Sequence, residues 1–452
     1  MHTVCVVGAG LAGCEACVKL AESGINVILY EMKPERFSPA HRNEGFAELV
    51  CSNSFKAVDI SNASGLLKEE MRILGSVCVE AAYKARVPAG QALAVDRNVF
   101  SDYITAAIGS YPNVTVIRKE LRSLEVLPEC DAVVVATGPL TSDSLAADIK
   151  KLTGIDSLSF FDAAAPVVYA DSIDTEKTFR AARYGKGTAD YINCPMDKDE
   201  YYAFYEALIG AETADVEDFD SLHLYEGCMP VESMAMRGRD TLKFGPLKPV
   251  GLKTPEGKTP YAVVQLRQDD EKGELFNIVG FQTRLKFSEQ RRVFGMIPGL
   301  ENAEYARYGV MHRNTYLKSP GILDETYMLI DSRGLPPVFF AGQITGVEGY
   351  MESACSGIVA GINAAAKVLG LPPVIFPAST VTGALAAYVA HFPGKDFQPM
   401  GANFGIVDSS GLFEKKVRDK TEKKRRIAEN ALNTLRDFAD GRGIRDGIVR
   451  TS

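Results

Sequence analysis

The chain lacks most of what would place it among metal-binding, membrane or secreted proteins. Its five histidines stand at scattered positions and supply no metal-ligand spacing. No apolar run is long enough to cross a bilayer, and a strand pattern begins at Val4 with no room before it for a signal peptide, so a cytoplasmic location without membrane contact is expected. Internal repeats and low-complexity stretches are absent. The nine cysteines are an odd number spread through apolar stretches, which suits a reducing compartment. Cys14-Glu-Ala-Cys17 has the C-x-x-C spacing, but it falls in a helix pattern with no second pair or histidine cluster, so no metal is expected there. Positive charge is not in excess either: the formal net charge is −8, although whole-chain charge says little about any one face.

What is present is a nucleotide fingerprint at the start of the chain. The apolar run Val4-Cys-Val-Val leads into Gly8-Ala9-Gly10-Leu11-Ala12-Gly13, a helix pattern follows to Ser23-Gly24, and Val27-Ile-Leu-Tyr ends in Glu31. A βαβ dinucleotide site requires this arrangement. Gly8 permits the tight turn, Gly10 lets a pyrophosphate approach the backbone, and Gly13 lets helix and strand pack closely. The helix N-terminus faces the phosphates, and Glu31 can accept hydrogen bonds from a ribose 2′-hydroxyl, which points to FAD or NAD. Two later segments favour FAD. Asp131-Ala-Val-Val-Val-Ala-Thr137-Gly138-Pro139 is a buried strand ending in a turn, a feature of flavoproteins with two dinucleotide domains. Val338-Phe-Phe-Ala-Gly342-Gln343-Ile-Thr-Gly346 is a second such strand, leading through Tyr350 into a small-residue helix whose positive end would face the flavin. An NAD-only dehydrogenase has no reason to return to the site three hundred residues later.

At 452 residues and 46% hydrophobic, the chain can bury two or three cores. The expected fold is α/β: a Rossmann-like FAD-binding domain with an inserted α+β domain. Residues 1–160 form the first part of the FAD domain, 161–317 the inserted domain, and 318–452 the second part with a helical C-terminal segment after Pro377. Phe179 to Ile192, Tyr261 to Arg267 and Leu275 to Gln282 are strand candidates by their β-branched and aromatic content.

Two basic runs depart from the acidic average. Lys415, Lys416, Arg418, Lys423 and Lys424 belong to a dense run on a helix continuing to Phe438, and Arg237, Arg239, Lys243, Lys248 and Lys253 form a second cluster. Either is a solvated face or part of a polyanion groove. Among the thiols, Cys51 in Glu48-Leu-Val-Cys51-Ser52-Asn53-Ser54 and Cys228 in Glu226-Gly-Cys228-Met-Pro230 sit in polar loops, where a thiol near cations can act as a nucleophile. Cys5, Cys78, Cys130 and Cys355 read as core residues.

The chain resembles the folate- and FAD-dependent tRNA (uracil-5-)-methyltransferases, the TrmFO family, along nearly all of its length. The resemblance rests on the glycine fingerprint, Phe46 to Ser54, Gly65 to Met71, Val87 to Gly90, Ala92 to Arg97 and Glu226 to Pro230. It continues through Gly238 to Leu252, Gln265 to Gln268, Val279 to Thr283, Gly309 to Thr315, Phe340 to Tyr350, Phe397 to Gly405 and the helix after Arg418. Gly401 replaces a usual asparagine and Met351 a usual valine; neither touches the cysteines or the fingerprint.

This resemblance implies that a thiolate adds to uracil C6 and C5 then attacks the methylene unit of 5,10-methylenetetrahydrofolate. After loss of the C5 proton, reduced FAD converts the methylene to methyl, and NADPH or NADH restores the flavin. The family's two catalytic cysteines match Cys228, expected to attack C6, and Cys51, expected to handle the proton or methylene; the two roles could be exchanged. Lys56, Arg97, Arg284, His312, Arg313 and Asn314 are candidates for folate, flavin or phosphate contacts, and Tyr350 for stacking. The RNA is tRNA, with the T-loop uridine at position 54 flipped out of its stack, or 23S rRNA in a related branch. No obligatory protein partner is evident. Longer wobble-uridine flavoproteins, a flavin oxidoreductase of small metabolites and an RNA-binding module with a vestigial flavin are the other readings.

Overall fold

The β-branched and apolar residues Val4 to Val7 are almost wholly buried, and they form the central strand of a parallel sheet. The computed structural model describes residues 2–154, 158–214, 229–413, 417–442 and 444, with backbone alone for 158–162, 312 and 313. The five strands of the sheet lie in the order Val338–Phe340, Ala132–Val135, Thr3–Val7, Asn26–Glu31, Val114–Arg118, all parallel. Continuous apolar strands of this kind are stable where helices cover both faces. Helix Leu11–Glu22 makes the first crossover and lies against the long helix Tyr350–Val368. Their approach depends on absent side chains: a Cβ on Gly357 would fall 2.1 Å from the Ala12 carbonyl oxygen, and one on Gly361 2.8 Å from Ala16 Cα.

A second core lies in the chain between the two stretches that build the first. Its six-stranded sheet has the order Phe179–Arg180, Ile192–Met196, Ala262–Gln268, Leu275–Ile278, Val167–Tyr169, Tyr305–Arg307, with antiparallel neighbours. Phe204, Phe276, Phe281 and Phe294 fill its interior. The strand expected from Phe179 is brief, because Tyr184 adopts φ +58° and turns the chain. That expected from Leu275 ends at Ile278, two residues before Gly280 at φ +79°. The chain passes between the two cores along an antiparallel ribbon, Leu158–Ala163 against Met311–Tyr316.

The C-terminal helices close the first core. The carboxylate of Glu70 accepts from the Val381 and Thr382 N–H groups at 2.9 and 2.8 Å and so caps helix Val381–His391. Burial raises this carboxyl to about 7. The basic helix begins at Lys420, later than its charge pattern suggests, because Asp419 caps it through the Thr421 and Glu422 N–H groups. Arg418 therefore precedes the helix, and Lys415 and Lys416 lie outside the described residues. Its apolar face, with Ile427, Ala431 and Leu435, is buried, and its cations are exposed. Among the described residues no helix is long and apolar enough to cross a membrane.

Candidate active site

A cleft with about 1120 Å³ of empty volume opens at the carboxyl ends of the parallel strands. Gly8, at φ +98°, turns the chain out of the first strand, and a Cβ on Gly13 would lie 1.8 Å from the Gly8 carbonyl oxygen. Only glycine fits there. Gly10 has nothing within 4 Å of its Cβ position, so the backbone at this point is open to a ligand, and no side chain caps the helix it begins. The first N–H groups of that helix are thus left for an anion. Glu31 is buried at the end of its strand and accepts from Ala9 N–H at 2.9 Å and Lys33 N–H at 3.0 Å. A carboxylate has further lone pairs for a ribose hydroxyl. Thr137 and Gly138 line the cleft with Gly342, Gln343 and Tyr350. Uncapped helix N-terminus, open glycine and buried acceptor are what a dinucleotide such as FAD requires.

Two of the expected cofactor residues act behind this surface. Gly13 serves packing, and Gly346, at φ +89°, has the Phe397 ring 2.5 Å from its Cβ position; neither lines the cleft. Lys33, His41, Glu48 and Lys119 do line it and escaped the sequence reading. Lys33 Nζ holds the following loop by donating to the Asn43 and Gly45 carbonyls and to Glu48, at 2.9, 2.7 and 3.2 Å. Burial, and then the neighbouring Lys33 charge, push the His41 imidazole below its usual pKa. A lysine and a histidine in an irregular loop carry no periodic signal.

Beside the cleft lies the loop that carries Cys51. Val50 lines the cleft, Cys51 is half-buried, and three arginines grip the main chain and side chains around them. Arg97 donates to the Leu49 carbonyl at 2.6 Å and forms a two-pronged pair with Asp269 at 3.1 and 3.2 Å. Arg267 donates to Ser52 Oγ and Asn53 Oδ1, each at 3.0 Å. Arg307 reaches the Val50 carbonyl at 3.5 Å; burial, then the nearby Arg97 charge, lower it to about 10, still cationic at neutral pH. The loop therefore lies in a field of three arginines that the carboxylates of Asp269 and Glu48 balance only in part.

Tyr350 joins the thiol to the cleft. Its hydroxyl oxygen accepts from Cys51 N–H at 2.9 Å and Ser52 N–H at 3.2 Å, and it lies 3.1 Å from Cys51 Sγ. Burial, and then the adjacent Cys51, hold the phenol well above its usual pKa, so it keeps its proton. With both lone pairs engaged by N–H groups, that proton points to sulfur, and a donor so placed stabilises negative charge there.

The remaining candidates are dispersed. Arg97 is buried and serves the loop; Lys56, at φ +63°, is exposed and lies 3.3 Å from Glu352 on the long helix. The main-chain N–H of Arg284 donates to Glu232 at 2.8 Å, and its side chain borders a second cavity of about 750 Å³. His312 and Arg313 lie on the ribbon between the cores, where Asn314 is buried. Lys423 and Lys424 are exposed, with Lys424 Nζ 6.0 Å from the Phe404 ring centre. Cys228 lies outside the described residues; three positions on, Val231 N–H donates to the Gln282 carbonyl at 2.7 Å. Cys14 and Cys17 are fully buried, and burial raises both, Cys17 to about 12. Cys5, Cys78 and Cys355 are core residues, whereas Cys130 is half-exposed because it precedes its strand.

Residues 3–372 match the family described as Glucose inhibited division protein A. The methylenetetrahydrofolate–tRNA-(uracil-5-)-methyltransferase TrmFO of Acetivibrio thermocellus is 58% identical over 434 residues, with 96% of this chain and 98% of that protein covered. The protein of the same name from Lactiplantibacillus plantarum is 56% identical, with 97% of each covered. The solved structure of Aquifex aeolicus GidA in its form II crystal covers 98% of this chain and 73% of that one at 17% identity and a TM-score of 0.70, a likeness of fold. The chain belongs to the glucose inhibited division protein A family and, with close relatives of its own length, to the TrmFO family.

Proposed function

We propose that this protein is the folate- and FAD-dependent methyltransferase of a tRNA uridine, forming 5-methyluridine at position 54 of the T loop in the cytoplasm, with 5,10-methylenetetrahydrofolate as carbon donor. The observation that carries this reading is Tyr350, which lines the dinucleotide cleft and bonds to Cys51. A thiol wired to a flavin cleft suits a reaction that needs both a nucleophile and a reductant, and the full-length TrmFO relatives bear the same activity in their name.

Cys228 attacks C6 of a flipped-out uracil, and the electron pair displaced to C5 attacks the methylene carbon of the folate. Cys51, with the Tyr350 hydroxyl and the arginines around its loop, removes the C5 proton. The pair from that C–H bond expels tetrahydrofolate as the methylene–nitrogen bond breaks, leaving an exocyclic methylene at C5; once a hydride has reached that carbon, the C5–C6 double bond reforms and Cys228 leaves C6. Reduced FAD, when bound, supplies the electrons that turn the methylene into methyl, and NADPH or NADH renews them. Glu31, Gly10 and the uncapped helix would hold the cofactor's adenosine end, and Gln343 and Tyr350, which line the same cleft, would contact the rest of it. Residues 161–317 form the RNA and folate side, and Lys56 and the exposed cations of the C-terminal helix are further candidate contacts for the RNA or folate.

The test is methylation of an unmodified tRNA transcript and of a 23S rRNA fragment with labelled methylenetetrahydrofolate. Label in uridine 54 is the expected result, and label confined to the rRNA fragment refutes the tRNA assignment. Trapping on 5-fluorouracil RNA separates the thiols: Cys228→Ala loses the adduct and Cys51→Ala keeps it.

A further inference from the structure

The second core presents a surface that the chemistry above leaves unused. Between Met236 and Lys253 the chain is pinned at regular intervals by the buried side chains of Leu242, Leu247 and Leu252. What projects between these anchors is of two kinds. Arg237, Arg239, Lys248 and Lys253 are exposed cations, with Lys243 half-buried among them and Asp240 the acid of the segment. Phe244 is 83% exposed, and Met236 and Val250 are exposed as well. Large apolar side chains gathered in water on one short segment mark an interaction surface.

A second exposed aromatic is built onto the same segment. Tyr184 is 62% exposed with its backbone in the left-handed region, φ +58°, where a bulky residue is strained. It is fixed by its N–H donating to the Gly251 carbonyl at 2.7 Å, and the preceding Arg183 donates to the Val250 carbonyl at 2.9 Å. Gly251 has no side chain to displace the Tyr184 ring, which passes 3.0 Å from its Cβ position. The cations are arranged on rings too: the Arg239 guanidinium carbon lies 3.8 Å from the Tyr202 ring centre and Lys243 Nζ 3.7 Å from that of Tyr261.

We infer that this segment is an RNA-docking surface, in which Phe244 and Tyr184 stack on unpaired bases while Lys248, Lys253 and Arg237 meet the phosphates. The inference rests on the proposed function for the identity of the RNA. Charge complementarity selects the partner: the patch is cationic on a chain of net charge −8, so a second copy of this acidic chain is the poorer match. Interleaved aromatics and cations fit single-stranded or looped RNA, whose bases offer flat faces, and fit the closed backbone of a duplex badly.

The test compares flavin-loaded wild-type protein with Phe244→Ala, Phe244→Trp and Lys248→Ala, measuring affinity for an unmodified tRNA transcript across a salt series. Flavin absorbance and elution volume serve as controls. Phe244→Ala is expected to weaken binding on the order of tenfold with the salt slope unchanged, and Phe244→Trp to restore it. Lys248→Ala is expected to weaken binding and flatten the slope by about 0.7–0.9, one phosphate contact. Wild-type affinity in Phe244→Ala, or a change in oligomeric state in place of a change in affinity, overturns the docking surface and leaves the methyltransferase reading intact. A wild-type protein that binds no tRNA overturns both.

Discussion

At the fingerprint end of the cleft the main chain shapes the surface. Gly8, Gly10 and Gly13 shape it by lacking side chains, the uncapped helix end offers N–H groups, and Glu31 is the one charged side chain of the fingerprint. In the Cys51 loop the roles are reversed: the main chain is held, and arginine and tyrosine side chains from distant parts of the chain do the holding. A site of the first kind is shaped by what residues leave out; the second depends on every long side chain keeping its partner. The two should therefore fail differently when altered.

The largest effect is expected from Arg97→Ala, which leaves the buried Asp269 carboxylate without its two-pronged partner. Breaking such a pair costs about 3–5 kcal/mol, read as a lower urea midpoint. A loss under 1 kcal/mol would mean that Arg307, already 3.9 Å from Asp269, takes over and the clamp is redundant. Gly13→Ala comes next. Its Cβ must displace the Gly8 backbone, costing about 1–3 kcal/mol by overpacking, and the purified protein is expected to lose most of its flavin absorbance. Full flavin occupancy in this variant would break the claim that missing side chains shape the cleft.

Tyr350→Phe isolates the link between the two sites. It removes the acceptor of two N–H groups and the donor to sulfur, so alkylation of Cys51, followed on its peptide by mass spectrometry, should slow by about tenfold while flavin stays bound. Unchanged alkylation would show that the arginines alone set the thiol's reactivity. The smallest effect concerns Glu70, a side-chain clamp of the first core. Glu70 titrates near 7 in the folded protein and near 4.5 unfolded, so between those values the folded state binds more protons. Its contribution thus makes stability fall as pH rises from about 4.5 to 7. Glu70→Gln should reduce that slope, as urea midpoints across the interval would reveal.

Much of this was legible in the sequence wherever the signal is local. The strand before Gly8, the acid at Glu31 and the small-residue helix after Gly349 are all written within a few residues of the feature they build, and all appear. The limits of the basic helix were misread because a single capping residue, Asp419, outweighs a run of charge. The Cys51 clamp was only half legible. Arg97 reads as a candidate ligand contact, whereas Arg267, Asp269 and Arg307 carry no local signal, since a pairing between residues 97 and 269 leaves no periodicity in either neighbourhood. Tyr184 was hidden inside an apparent strand, because left-handed backbone in a tyrosine has no sequence signature.

The order of strands in the parallel sheet also bears on how the protein is made. Ala132–Val135 pairs on one side with Thr3–Val7, but its other neighbour, Val338–Phe340, is synthesised about 200 residues later. At roughly 5–20 residues per second, a ribosome leaves that apolar edge open for on the order of 10–40 s. During this interval the whole second core emerges and can fold beside a bare β-edge, a ready template for pairing with another nascent chain. Shielding by a chaperone during translation would matter more for this protein than its finished architecture suggests.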